Sequence, residues 1–151
     1  MRGRPALTLV EVIVVLAVLG VLLGALMWSG LRGPSAAGVA QELARIVALA
    51  RWSSVQAGAA RTLVASAAGE LSAVPGYACD AASPGTRPVW SPPPRTIIDW
   101  PTMGLGFAPD GRPRRCDGSA VGNATIPIEG PQNDRAAVIV ASLGRVRWER
   151  R

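Results

Sequence analysis

The chain of 151 residues contains no histidine and no lysine. Without histidine there is no Ser/His/Asp or Cys/His nucleophile arrangement, and the commonest zinc ligand sets are gone. Without lysine, Schiff-base chemistry and a Walker-type phosphate loop are excluded as well. Two cysteines, Cys79 and Cys116, with no CxxC spacing, are too few for a metal centre. No catalytic constellation remains, no cofactor is expected, and the chain reads as a structural or binding protein rather than an enzyme. All sixteen basic residues are arginine and the formal charge is +6. That excess favours anionic partners, although a GC-rich genome also raises arginine and alanine.

Apolar residues are concentrated at one end. Leu7 to Trp28 is a run of 22 residues with a single charge, Glu11. As a helix rising about 1.5 Å per residue it measures ~33 Å, enough to cross a hydrocarbon core of ~30 Å. Arg2 and Arg4 precede it, which keeps the N-terminus cytoplasmic and sends the remainder outward. Trp28 stands where an interfacial aromatic would anchor the far end. A cleaved secretory signal is the competing reading, with Ser35-Ala36-Ala37 as a small-x-small site. The length of the run and the carboxylate inside it count against that.

Glu11 is the informative residue. A charge within a membrane segment costs roughly 2.5–3.5 kcal/mol on insertion scales, so it needs either a counter-ion or a route to water. Its context, Arg4-Pro5-Ala6-Leu7-Thr8-Leu9-Val10-Glu11-Val12, resembles the N-terminal signature of type IV prepilins and type II secretion pseudopilins. In that family a basic leader is removed by a membrane prepilin peptidase, leaving glutamate as the fifth mature residue. The resemblance therefore implies a leader over 1–6, cleavage between Ala6 and Leu7, N-methylation of Leu7, and an assembly role for Glu11. Ala6 stands where glycine is more usual, and Leu7 where phenylalanine is. The new ammonium on Leu7 can pair with the glutamate of a neighbouring subunit in lipid, where a paired charge is far cheaper to bury than an unpaired one.

Gly20 and Gly24 form a small-xxx-small pair, and Gly33-Pro34 interrupts the apolar run. From Ser35, a cap or kink position, to Ala57 the pattern is helical again. Val39, Leu43, Ile46, Val47 and Ala50 fall on one stripe, while Gln41, Glu42, Arg45 and Arg51 face elsewhere; Gly58 ends the helix. The resemblance implies an α+β, pilin-like architecture. One long N-terminal helix spans 7–57, with 7–30 in the membrane or filament core and 34–57 packed on a β-rich domain over 58–151. Roughly 94 residues of β-rich chain bury an adequate core only with help from that helix.

Short β-like runs follow Gly58. Arg61–Ser66 and Glu70–Val74 read as a hairpin through Ala67-Ala68-Gly69, and Pro75–Arg95 as a proline-rich loop without regular structure. Thr96–Trp100, Gly104–Ala108, Ala124–Ile128, Ala136–Ser142 and Arg145–Trp148 complete the expected strands. In an oxidising compartment Cys79 and Cys116 favour a disulfide, which would stabilise the fold by ~3–4 kcal/mol on the chain-entropy model.

Leu43-Ala44-Arg45 through Ala50-Arg51, then Thr62-Leu63-Val64, resembles the helix-to-first-strand passage of the GspH/FimT-like minor pilins. Phe107-Ala108-Pro109-Asp110-Gly111-Arg112 resembles that group's F-x-P-D-G turn, and Ala137 to Arg147 its last two strands with a G-R-x-R close. The resemblance implies a minor pilin or pseudopilin with other pilins, the peptidase and the inner membrane as partners. Its globular domain would be periplasmic before assembly into a filament that can reach the cell surface. Members of the group serve either DNA-taking pili in natural transformation or type II secretion. Gly144 to Arg151 carries Arg145, Arg147, Arg150 and Arg151 against Glu149, a net +3. In a strand, Arg145 and Arg147 project from one face and Val146 and Trp148 from the other, with Trp148 expected in the core. Arg112, Arg114 and Arg115 form a second cluster. Sequence-independent DNA-backbone binding by these arginines competes with a solvated surface paired to Glu129, Asp134 and Glu149.

Overall fold

The computed structural model describes residues 9–30, 34–79, 88–100 and 104–151, with side chains of the first stretch described to Ala25. The chain divides into two compact units, Met1–Gly33 and Pro34–Arg151.

In the first unit, α1 spans Leu9–Gly30 and carries Glu11 in its first turn. Its aliphatic side chains have no buried face: Val10, Ile13, Leu16, Val21 and Leu23 are all more than half exposed. Among the described residues no helix is long and apolar enough to cross a membrane. The segment expected over 7–30 extends beyond the described side chains at both ends.

The second unit is built on α2, Ala36–Ala57. Ser35 caps it, its hydroxyl accepting from the Gly38 N–H, and Gly58 ends it in the left-handed region with its N–H donating to Ser54 and Val55. The apolar stripe is buried at Val39, Leu43, Val47 and Ala50, with Ile46 half-buried beside them. It packs on two antiparallel sheets. The first has the strand order β3-β2-β1-β5-β6, from β1 (Arg61–Ala65), β2 (Leu71–Pro75), β3 (Pro88–Trp90), β5 (Gly104–Phe107) and β6 (Pro113–Arg115). The second has the order β4-β7-β8-β9, from β4 (Ile97–Ile98), β7 (Ala124–Glu129), β8 (Arg135–Val140) and β9 (Val146–Arg150). Period-two alternation sends Ile126, Ile128, Ala136, Val138 and Val140 inward to meet α2, together with Leu63, Leu105 and Phe107 of the first sheet. This core lies wholly within the second unit, the mark of a domain that folds alone.

Four hairpins, β1–β2, β5–β6, β7–β8 and β8–β9, share one turn geometry: a tight turn closed by a residue at positive φ, namely Gly69, Gly111, Asn133 and Gly144. A disulfide joins Cys79 to Cys116, with Cα atoms 4.7 Å apart. It fastens the chain after β2 to the end of β6.

Several expected elements differ in detail. Pro88–Trp90 is a strand inside the segment expected to lack regular structure, because Leu71 and Ser72 of β2 offer it a free edge. Pro113–Arg115 pairs with β5 where only a turn-following cluster was expected. Thr96–Trp100 shrinks to the two residues Ile97 and Ile98, and β9 begins at Val146, leaving Arg145 in the turn. Trp148 pairs with Val138 on the core-facing side but sits on the edge strand and stays 39% exposed, so it is not a core residue.

The β7–β8 turn also holds the start of α2. Asp134 Oδ2 accepts the Ala36 N–H at 2.6 Å, satisfying one of the four N–H groups a helix leaves open at its N-terminus. Asp134→Ala should therefore destabilise the 34–151 domain by about 1–2 kcal/mol, the range for losing a helix cap. Denaturant unfolding of the isolated domain measures this, and an unchanged midpoint would refute the bracing role.

Candidate functional site

Two regions bear on function: the processing segment and the arginine surface. Ala6 and Leu7, the expected cleavage pair, lie outside the described residues. Glu11 is exposed in the first turn of α1, where a carboxylate is favoured by the helix dipole. A helix that is apolar all round needs covering by lipid or protein, and the described side chains of α1, from Leu9 to Ala25, are all exposed.

The arginines are organised by α2. Near its C-terminal end, Arg51 Nε donates to the Gly111 carbonyl at 3.1 Å. The buried Ser54 hydroxyl lies 3.2 Å from the Ala108 carbonyl. The helix thus grips the β5–β6 turn at two carbonyls. Gly144 of the β8–β9 turn abuts the same place: a Cβ there would land on the Gly111 carbonyl oxygen and come within 2.6 Å of Arg51 Nε. Both glycines have positive φ, 78° and 81°, so each turn needs glycine for its backbone as well. Arg112 and Arg145 each follow one of these glycines, and the contact brings two arginine clusters that are 33 positions apart in sequence to one patch of backbone.

The tail then runs away from that patch. In β9, Arg147 and Glu149 face outward opposite Ile139 and Ala137, while Val146 packs against the core. Arg150 and Arg151 end beside the start of α2, lining a cleft with Ser35, Asn133, Asp134 and Arg135. Ala36 and Arg51 are 15 residues apart, or ~22 Å along the helix axis, so Arg112 and Arg145 stand at one end of α2 and Arg150 and Arg151 at the other. Arg114 and Arg115 belong to neither end. They line a separate cleft between β5 and β7 with Trp100, Leu105 and Asn123.

Among the described residues three ion pairs temper the charge: Arg112–Asp110 at 3.4 Å, Arg135–Glu129 at 3.3 Å and Arg151–Glu149 at 3.4 Å. Exposed pairs of this kind contribute about 0–1 kcal/mol and leave the guanidiniums available. Among the described residues Arg145, Arg147, Arg150 and Arg114 form no ion pair. Asp117 lies beside Arg115, and hydrogen bonds from the Ser119 hydroxyl and backbone N–H, aided by the Arg115 charge, hold its carboxyl below the usual range. Among the described residues no group of three or more histidine, cysteine, aspartate or glutamate side chains is placed to hold a metal.

Arg51 is the residue that sequence reasoning misassigned, as one of the side chains turned away from the packed stripe. Its aliphatic stem and Nε are committed to the turns, and it is half-buried. The available signal was the pair of Gly-Arg steps, each at a hairpin turn, which needed a shared donor to sit together.

Residues 1–27 match the family model described as the prokaryotic N-terminal methylation motif. The match supports a type IV pilin-like protein made as a prepilin. No curated protein matches the chain, and no solved structure does.

The contact between the two turns is open to a controlled test. Gly144→Ala should cost about 1–3 kcal/mol for the left-handed backbone, and more for the collision with Gly111. Gly76 has φ 76° but open space around a would-be Cβ, so Gly76→Ala isolates the backbone part. The two variants should differ clearly in unfolding midpoint, and equal losses would mean the turns do not depend on touching.

Proposed function

We propose that the chain is a minor type IV pilin or pseudopilin, cleaved after Ala6 by prepilin peptidase and assembled into a membrane-rooted filament. The methylation-motif match over residues 1–27 supports this reading, and that stretch holds Arg2, Arg4 and Glu11 ahead of an apolar run. Cleavage leaves a positive amine on Leu7, one helical turn from Glu11. In the filament, the Glu11 carboxylate of one subunit neutralises the Leu7 ammonium of the next, which fixes the axial register between subunits. The exposed aliphatics of α1 are covered first by the bilayer and then by neighbouring copies of the same helix. In this reading the Pro34–Arg151 domain is displayed in the periplasm and then on the filament.

Within that reading the distal arginines support capture of DNA for uptake. Arg145 and Arg147, with Arg112 beside them, are exposed cations on a rigid turn and strand. They suit phosphate oxygens, which arginine binds in a bidentate, sequence-blind manner. A GspH-like role in type II secretion is the second reading. It is favoured by the exposed Leu49, Trp52 and Val55 on α2, a surface better suited to a protein partner than to nucleic acid.

Filaments sheared from cells should yield a chain six residues shorter than the gene product, beginning at methylated Leu7 by mass spectrometry. Glu11→Ala should be cut normally yet be missing from the filament fraction. Recovery of that variant in filaments at wild-type levels refutes the charge pairing.

For DNA, the 34–151 domain should bind duplexes of unrelated sequence equally, with affinity falling steeply as salt rises. Arg145→Ala/Arg147→Ala should weaken binding roughly tenfold and reduce the salt slope by about 2, one per lost phosphate contact. Equal binding by the double variant would move the protein to the secretion reading.

A further inference from the structure

We propose that the open edge of β9 is a self-pairing interface: two copies of the 34–151 domain join antiparallel through Val146–Arg150, about a two-fold axis at Trp148. Only this domain takes part, so the pairing is independent of how α1 is placed and of which filament the chain enters.

Among the described residues one sheet ends in β3 and β6, the other in β4 and β9. β3 and β6 are three residues long and begin with proline, and β4 has two residues. β9 has five and no proline, and its register with β8 runs without a bulge. Apart from its charges, it lacks the devices that usually protect a sheet edge. The ladder fixes which of its groups face outward. The Arg151 N–H donates to the Arg135 carbonyl at 3.0 Å, and the Ala141 N–H to the Arg145 carbonyl at 2.9 Å. Bonding alternates along an antiparallel pair, so Arg147 and Glu149 also turn their backbone groups to β8. Val146, Trp148 and Arg150 turn their N–H and C=O groups to the open side.

Charge complementarity selects a second copy as the occupant, and selects the register. Two edges related by a two-fold axis can bond only by setting these outward residues opposite one another. With Trp148 opposite itself, Val146 meets Arg150, and Arg147 meets Glu149 of the other copy on both sides of the axis. Sliding one strand by two residues sets Arg147 opposite Arg147 in one direction and Glu149 opposite Glu149 in the other, which like charge disfavours. Arg147 and Glu149 then form the non-hydrogen-bonded pairs, with Cα atoms about 4.5 Å apart and side chains close. The Arg151 contact of Glu149 is exposed and weak, so a cross-strand partner can share the carboxylate. At the axis the two Trp148 rings lie side by side and cover an indole that is 39% exposed in the single domain. Arg145 and Arg151 oppose each other just outside the paired strands, a repulsion that limits the affinity.

Sedimentation equilibrium of the 34–151 domain should show monomer and dimer and nothing larger, because a two-fold contact uses up the edge of both copies. Arg147→Glu and Glu149→Arg should each weaken the dimer roughly tenfold or more, by setting like charges opposite at two symmetric positions. The double variant Arg147→Glu/Glu149→Arg should restore it, an outcome that loss of a merely structural side chain would not give. Arg145→Gln should tighten it. Under oxidising conditions Trp148→Cys should link copy to copy, whereas Arg147→Cys and Glu149→Cys, each a diagonal away from its own counterpart, should not. If Trp148→Cys does not fold, the charge-reversal series decides alone. The proposal is overturned by a domain that stays monomeric at millimolar concentration, or by a dimer that ignores the single reversals. Failure of the double variant to restore pairing, or links formed at 147 or 149 in place of 148, overturns it equally.

Discussion

The globular unit depends on one helix held at three points. Its buried stripe, from Val39 through Leu43 and Val47 to Ala50, fills the space between two sheets that share no strand. At its start, Asp134 ties the helix to the β7–β8 turn. Near its end, Arg51 and Ser54 take the carbonyls of the β5–β6 turn. Neither sheet could bury its inner face alone: each is short-stranded, and the inward residues of both meet on the same helical stripe. Removing one Leu43-sized side chain from such a core costs about 2–5 kcal/mol, a large part of the stability of a domain this size. The turns that present Arg112 and Arg145 are therefore as well placed as the helix is.

The other unit poses the opposite problem. None of the described side chains of α1, Leu9 to Ala25, is buried, although almost all are aliphatic. A solitary helix of that composition has no reason to remain in water, and the hydrophobic effect drives it into lipid or against its own kind. The same helix suits both settings because both are apolar. The one charged residue of α1, Glu11, distinguishes them: in lipid it needs a route to water, whereas against protein it needs a counter-ion. Residues 1–27, which match the N-terminal methylation motif, contain Arg2, Arg4 and Glu11.

Sequence periodicity located the helix α2 from cap to cap, since Ser35 and Gly58 punctuate a clean 3.6-residue stripe. It located most of the strands from short apolar runs punctuated by glycine and proline, although β1, β5 and β8 are buried at consecutive residues. It failed where pairing rather than pattern makes the strand. Pro88–Trp90 opens on a proline, which cannot donate to a ladder, and it is extended because β2 has an open edge. Pro113–Arg115 is similarly recruited by β5. Trp148 has the parity of a core residue but lies on the last strand of its sheet, where no further strand covers it. The arginine site was half legible: its members stand out in composition, but their grouping does not. Gly111 and Gly144 touching is a tertiary fact: the two Gly-Arg steps mark similar turns, but nothing in either one places it against the other.

That grouping changes what the charged tail can do. Along the sequence, Gly144 to Arg151 is a single basic run. In the fold, β9 starts at the Gly111 contact and finishes beside Ser35, so the run connects the two ends of α2 instead of forming one patch. Arg112 and Arg145 flank the contact at the distal end, whereas Arg150 and Arg151 stand beside Ser35 at the start of α2. The arginines are not needed to hold the fold, because their ion pairs are exposed and each is worth at most about 1 kcal/mol. A surface whose charges contribute so little to stability can be divided between partners without penalty to the core. Substitutions at the two ends are accordingly independent experiments: they share no side chain, no ion pair and no turn, and their effects should add.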